Sequence, residues 1–395
     1  MKSSKVVTAS LLVAGTAIGA GMLALPVATA QGGFWPAVAV YFLCWIFSSA
    51  TGLLLLEACL WLPKDSNIVS LSSHLLGRKG KMASWVLYLF FFYCLTIAYV
   101  SGGGGLITVL FKDTIPIPLG ILIFVLVFSP VVYIGTHAVD RFNFLLMVGL
   151  IISFSAFIVI GIGKVDVNIL EHAHWPSAFL ALPVMLASFS YQGIVPSIRT
   201  YFYNEPKTAR KVILIGSSLP FFIYLIWEYL ILGIVPLEGA NGLLAALENG
   251  QTAIDPLRQF SQSRTIYAIG QAFAFFALSS SFLGVTLGLF DFLADGLKMK
   301  KRGTDKGILF SIVYIPPMVV AMLNPNIFIS ALSYAGGFGA ILLLGLFPIL
   351  MVWSGRYKKG LPRKDQLWGG KPLLLFLACF VLFEISVQVI DMIKN

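Results

Sequence analysis

Ala14-Gly15-Thr16-Ala17-Ile18-Gly19-Ala20-Gly21-Met22 places three glycines within seven residues, inside an apolar run from Val6 to Ala30. Glycine weakens a helix by about 1 kcal/mol relative to alanine, and it removes the side chain that would screen the backbone. At mid-membrane, freed backbone groups persist only where protein covers them or where they line a cavity. The stretch is therefore expected to break near Thr16–Ile18 and to offer its backbone to something polar. The amides of Gly19, Ala20 and Gly21 would open a second half-helix and suit a carboxylate. The carbonyls from Ala14 to Thr16 would suit an ammonium group. Packing alone is the competing explanation, because Gly15 and Gly19 also form a Gly-xxx-Gly pair.

A second interruption follows in the distal half. Leu182-Pro183 precedes Ser188-Phe189-Ser190-Tyr191-Gln192-Gly193-Ile194-Val195-Pro196, again small, polar and punctuated inside an apolar run. Carbonyls at Ser188 and Phe189 would complete the acceptor cage. Together the two interruptions would form one site offering amides to a carboxylate and carbonyls to an ammonium group. Its expected contacts are Gly15, Thr16, Ala17, Ile18, Gly19, Ala20, Gly21 and Met22 from the first break. The second contributes Ser188, Phe189, Tyr191 and Gln192, and Thr96, Ser280 and Phe282 are expected beside them. Small residues flanked by Phe189, Tyr191 and Phe282 would form the site's side-chain pocket. Selection for a hydroxyl there needs a buried polar partner, for which Gln192, Thr96 and the serines around Ser280 are available.

Ionisable residues inside membrane spans are costly and often functional. Glu57, Glu228, Asp291 and Asp295 are the candidates for coupling and gating. Asp291 and Asp295 share one helix face and could pair with Arg199 or Lys5 as a gate; a structural ion-pair network is the plainer alternative.

These residues require a membrane scaffold to hold them. Of 395 residues, 58% are hydrophobic and 11% charged, against about 25% charged in soluble domains, and mean hydropathy is +0.91. Eleven apolar spans run over 6–30, 34–61, 83–111, 116–136, 141–163, 177–203, 208–236, 263–296, 306–323, 326–353 and 371–393. An inside N-terminus puts Lys298, Lys300, Lys301, Arg302 and Lys306, and then Arg356, Lys358, Lys359, Arg363, Lys364 and Lys371, on the cytoplasmic face. It leaves Lys112, Lys164, Arg258, Arg264 and Lys394 outside with the C-terminus. That bias sets the orientation and accounts for the net charge of +10 without nucleic acid. The partner is the lipid bilayer. The two interrupted spans are then five apart and oppositely directed, the pattern of an inverted-repeat secondary transporter.

The chain resembles the bacterial aromatic amino acid permease family, the tyrosine and tryptophan permeases. The likeness rests on Gly15 to Pro26, on Ser188-Phe189 with Gly193 to Ser197, on Pro206-Lys207-Thr208, and on Leu283 to Asp295. It implies an all-α polytopic membrane protein with eleven transmembrane helices and a LeuT-like five-plus-five inverted repeat. Helices 1 and 6 would be broken. The repeats would span 1–163 and 177–353, with an added helix at 371–395. It further implies uptake of L-tyrosine or L-tryptophan with H+ across the bacterial inner membrane, Na+ being the alternative coupling ion.

Other classes fit poorly. No span offers His-Glu-x-x-His, Gly-x-Ser-x-Gly or a phosphate loop, so neither an intramembrane enzyme nor a nucleotide-driven pump is indicated. Cys44, Cys59, Cys94 and Cys379 all fall in apolar runs. With only a His172-x-His174 pair in a loop besides, no metal site or cofactor is expected. The segment 237–262 is a candidate lid over the outer entrance.

Overall fold

The structure is a computed structural model and describes residues 2–63, 66–203, 205–260, 264–362 and 367–394. Lys64, Arg363 and Lys364 of the basic face lie outside these residues. Among the described residues the secondary structure is entirely helical. Ten helices are long and apolar enough to cross a membrane, which makes this a multi-pass membrane protein. They are spans 2 (Phe34–Leu60), 3 (Ile68–Leu110), 4 (Ile117–Ile134), 5 (Thr136–Lys164) and 6 (Trp175–Tyr201). Spans 7 (Pro206–Ile234), 8 (Arg264–Leu297), 9 (Gly303–Leu323), 10 (Phe328–Lys358) and 11 (Gly370–Ile393) follow.

Span 1 falls outside that set because it is interrupted. It runs over Lys2–Ala17, then Ala20–Leu23 as a 3-10 turn, then Leu25–Thr29. The α-helical ladder ends where the Ile18 amide donates to the Ala14 carbonyl at 2.9 Å, and Gly19 is extended. Span 6 is interrupted in the same manner between Leu182–Ser188 and Val195–Tyr201. Pro183 and Pro196 occupy first turns, where a missing N–H costs little.

Two other departures from straight helix matter. Span 3 starts with a reciprocal Asn67–Ser70 capping box and kinks at Gly77, whose φ of 79° is open to glycine. The helix thus begins at Ile68, well before the span expected over 83–111. Span 10 is π-helical over Ala335–Leu346. There Gly336 lies so close to the Pro183 carbonyl, and Gly337 to Gln388, that neither could carry a Cβ.

Helix packing has an internal order. Span 1 lies along span 7 and span 6 against span 2, while span 3 lies along span 10 and span 8 along span 5. Shifting each number by five exchanges one pair for the other. Span 11 stands outside this scheme, against span 10 and the first half of span 6. Close approach sets spans 3 and 4: Gly104 and Gly120 face each other across the crossing, where Cβ atoms would collide with the Ile121 backbone and the Gly104 carbonyl. Gly102, Gly103 and Gly104 are therefore packing positions, while Gly105 faces open space.

The face carrying the N-terminus is held by a buried clamp. Arg356 donates to Glu57 through Nε at 2.7 Å and Nη2 at 2.5 Å, with both side chains about 1–2% exposed. The Leu367 amide also donates to Glu57, at 3.1 Å. Ser354 Oγ donates to the Leu75 carbonyl at 2.6 Å. Expected among the coupling residues, Glu57 is thus committed to joining spans 2 and 10 before span 11. Glu57→Ala strands a buried guanidinium, with an expected loss of about 3–5 kcal/mol. Glu57→Leu with Arg356→Met should recover most of it. Thermal melting in detergent checks this, and a wild-type melt for Glu57→Ala would refute it.

Candidate functional site

The two breaks meet at one cavity of about 540 Å³. Span 1 lines it with Gly15, Thr16, Ala17, Ile18, Gly19 and Gly21, and span 6 with Ser188, Ser190, Tyr191 and Gly193. Span 3 supplies Tyr88, Leu95 and Tyr99, and span 8 supplies Ser280 and Ser281. The cavity runs toward the face of the N-terminus, past Leu11, Asn143 and Ser197. The lining is mostly apolar and aromatic with a few backbone and hydroxyl groups, as small-molecule sites are.

Backbone polarity at the breaks divides into used and free groups. The Gly19 and Gly21 amides have no acceptor among the described residues. The Ala20 amide is different: it donates to Ser281 Oγ at 2.9 Å. Of three amides expected to be free, the central one is thus taken by span 8. A side chain on either neighbouring glycine would force a serine to shift. A Cβ on Gly19 would overlap the Ser281 hydroxyl, and one on Gly21 would approach Ser188 Oγ to 2.7 Å.

Span 7 organises the carbonyl side. The Tyr224 hydroxyl lies 2.6 Å from the Ala17 carbonyl and 2.9 Å from the Ser188 carbonyl, bridging the ends of both half-helices. Trp227 Nε1 donates to the Met22 carbonyl at 2.8 Å. Glu228 accepts from Thr29 Oγ1 and, at 2.9 Å, from the Tyr41 hydroxyl. One face of span 7 therefore grips span 1 at three levels. Tyr224 and Trp227 were not expected. Their sequence signal is the polar-tipped set Tyr224, Trp227 and Glu228 at i, i+3 and i+4.

Several expected contacts lie elsewhere. Ala20 and Met22 are buried behind the cavity wall. Thr96 donates to its own helix at the Phe92 carbonyl, 2.8 Å away. Tyr88, Leu95 and Tyr99 line the cavity from the neighbouring face of span 3, so the helix is rotated from the orientation expected. Phe189 packs between Tyr41 and Tyr224, and Phe282 against Phe124 and Tyr314. Gln192 is buried and donates to Thr51 Oγ1 at 3.1 Å. Its amide nitrogen is directed at span 2, and Gln192 lies outside the cavity lining. The Tyr191 ring lines the cavity, but its hydroxyl donates to the Ser48 carbonyl at 3.0 Å. Aromatic character comes instead from span 3, where Tyr88 stacks with Phe92 and Phe292 at centroid distances of 4.4 and 4.1 Å.

The acidic candidates are dispersed. Asp291 pairs with Lys301 at 2.8 Å, half-exposed, and Asp295 is exposed. Asp291 is therefore bound by its own following loop and not by Arg199 or Lys5. Arg199 instead donates to the Tyr203 carbonyl and lies over the Tyr203 ring. Glu228 alone of the four is fully buried and directly bonded to a broken span.

The opposite entrance is covered. Residues from the connection between spans 7 and 8 fold inward, with Leu243, Ala246, Ala253, Ile254 and Leu257 buried. The Ala253 amide donates to the Leu23 carbonyl at 2.8 Å. Asp255 accepts from Thr252 through its amide and hydroxyl, both at 2.8 Å, while burial raises its carboxyl above the ordinary range. Arg258 reaches Asp113 at the rim at 2.8 Å, an exposed pair of small energetic weight.

Comparison with known proteins agrees with this architecture. Mutant forms of a manganese transporter from Eremococcus coleocola share the fold, with a TM-score of 0.62 at 14% identity over 97% of this chain and 85% of that one. The tryptophan-specific transport protein of Pseudomonas aeruginosa is 34% identical over 94% of this chain and 91% of its own. Tyrosine-specific transport system 1 of Haemophilus influenzae is 31% identical over 95% and 94%. The low affinity tryptophan permease of Escherichia coli is 31% identical over 95% and 92%. The model of the tryptophan/tyrosine permease family, a family of transporters and not of enzymes, matches residues 2–388. The chain belongs to the tryptophan/tyrosine permease family.

Proposed function

We propose that the protein is a secondary active importer that carries tyrosine or tryptophan with protons, by alternating access, across the bacterial inner membrane. The observation that carries this is the meeting of two broken helices at a cavity of about 540 Å³ with free glycine amides on one wall and tyrosines on another. The Gly19 and Gly21 amides receive the substrate carboxylate. Carbonyls at the break receive its ammonium group, and the ring lies toward Tyr88 and Tyr99. Relatives named for tryptophan and tyrosine support that substrate class. With the N-terminus cytoplasmic and the C-terminus periplasmic, the conformation is inward-facing, because the cavity extends to the N-terminal face and the lid covers the other. The exchange of packing pairs on shifting by five supports repeats over 1–163 and 177–353, with 371–395 added.

Glu228 is the proton carrier in this scheme. As a carboxylate it accepts two hydrogen bonds that tie spans 1 and 2 to span 7. A bound proton takes up one acceptor site and weakens the tie, freeing the outer half of span 1. Liposomes with imposed gradients test the mechanism. Wild-type accumulation should follow a proton gradient, and accumulation driven by sodium alone refutes proton coupling. Glu228→Gln should keep substrate binding and exchange but lose at least ten-fold in gradient-driven accumulation.

Two variants address the site. Gly21→Val drives a side chain against Ser188 and should weaken tyrosine or tryptophan binding at least ten-fold in a thermal-shift titration; wild-type binding would remove the amide model. Tyr224→Phe leaves two break carbonyls without their donor, at about 1–3 kcal/mol. Its melting temperature should fall and its uptake should fall with it, and an unchanged melt would show that water or substrate already serves those carbonyls.

A further inference from the structure

Glu384 lies in span 11, outside the ten spans that form the repeats, and no part of the preceding mechanism uses it. It is 0% exposed, and neither carboxyl oxygen has a hydrogen-bond partner among the described residues. Span 11 is otherwise the kind of helix that faces lipid: only 33% of its apolar window is buried, and Phe376, Leu382 and Phe383 are exposed. Glu384 and Gln388, four residues apart, are therefore turned together into the protein. Gln388 is 1% exposed and accepts from Ser333 of span 10 at 2.9 Å.

The surroundings of Glu384 are nearly free of charge. The titratable group facing it is Cys44 of span 2; span 2 also meets span 11 through Phe47 and Phe380. The packed segments of span 6 (Leu182–Ser188) and span 10 (Ala335–Leu346 and Phe347–Trp353) contain no ionisable residue. Tyr334 precedes the π-helical stretch and stacks on Phe338, and Asp391 lies two turns further along span 11. Among the described residues no cationic side chain pairs with Glu384, and a carboxylate without a donor or counter-ion is strongly disfavoured in a low-dielectric interior. A carboxylic acid in the same place is not.

The π-helical stretch of span 10 joins this position to the cavity. Its Leu343 and Leu344 line the cavity, Gly336 abuts the Pro183 carbonyl of span 6, and Gly337 abuts Gln388. Such stretches often mark functional sites within helices. A shift of span 10 during opening and closing would change the burial of Glu384.

We propose that Glu384 is a second proton-binding site, occupied in this conformation and emptied when span 10 moves and admits water. The proton enters from water on one side of the membrane and returns to water on the other; no other bond forms or breaks. This rests on the importer reading above, which the same experiment separates from it.

Wild type, Glu384→Gln, Glu384→Asp and Glu228→Gln are purified, checked for folding by thermal melting, and placed in liposomes. Infrared difference spectra on deuterium exchange should show a buried carboxylic-acid band at neutral pH in wild type that Glu384→Gln lacks. Glu384→Gln should bind and exchange substrate normally, yet show at least a ten-fold loss of proton-driven accumulation and a flattened pH profile. Glu384→Asp should keep proton-driven accumulation and the wild-type pH profile. Wild-type accumulation and pH profile in Glu384→Gln, beside a defective Glu228→Gln, overturn this site alone. A wild type that no proton gradient drives overturns the importer mechanism and the role of Glu384 together.

Discussion

A broken helix in a membrane must find partners for the backbone it exposes, and most of this structure can be derived from that requirement. The two carbonyls that end the first half-helices, Ala17 and Ser188, share one hydroxyl from Tyr224. The Ala20 amide takes Ser281, and the Met22 carbonyl takes Trp227. Without such donors and acceptors each orphaned group would cost about 1–3 kcal/mol, and the break would anneal into continuous helix. Spans 7 and 8 are thus as much a part of the site as the glycines they serve. The amides left over are those of Gly19 and Gly21, which border the cavity.

The same economy explains why charge is kept away from the cavity. Glu57 and Arg356 satisfy each other at the N-terminal face, Asp291 is held by Lys301, and Asp113 and Arg258 meet at the opposite rim. A zwitterion received by neutral backbone dipoles needs no buried counter-ion, and release is not opposed by a full charge. Glu228 and Glu384 are the exceptions, each buried at a helix contact and not in the cavity lining. Glu228 has two donors and Glu384 has none, so two carboxyls on one chain face opposite electrostatic demands.

Span 10 lies between these parts. Its π-helical stretch lets neighbouring backbone approach Gly336 and side chains approach Gly337 and Gly339. It thereby touches the first half of span 6, span 3 and span 11 at once. Bulky residues at these positions would force the three neighbours apart.

The membrane class, the number of spans and the positions of both breaks were legible in the sequence, because they follow from local composition: apolar run length, and glycine or proline inside such a run. The breaks fall within a residue or two of Thr16–Ile18 and at Phe189, since nothing distant overrides the loss of helix propensity there. Of the aromatic lining, Tyr191 was legible and the tyrosines of span 3 were not. Thr96 against Tyr99, or Phe282 against Ser281, differ by how far each helix is rotated about its axis, and that rotation is set by packing against spans absent from the local pattern. In a chain apolar on all sides the hydrophobic period that usually reports rotation is nearly silent. The partners of polar groups were likewise decided only in three dimensions. Tyr224 reaches Ala17 across 207 positions and Arg356 reaches Glu57 across 299, and the identity of a side chain does not state which distant atom it will meet.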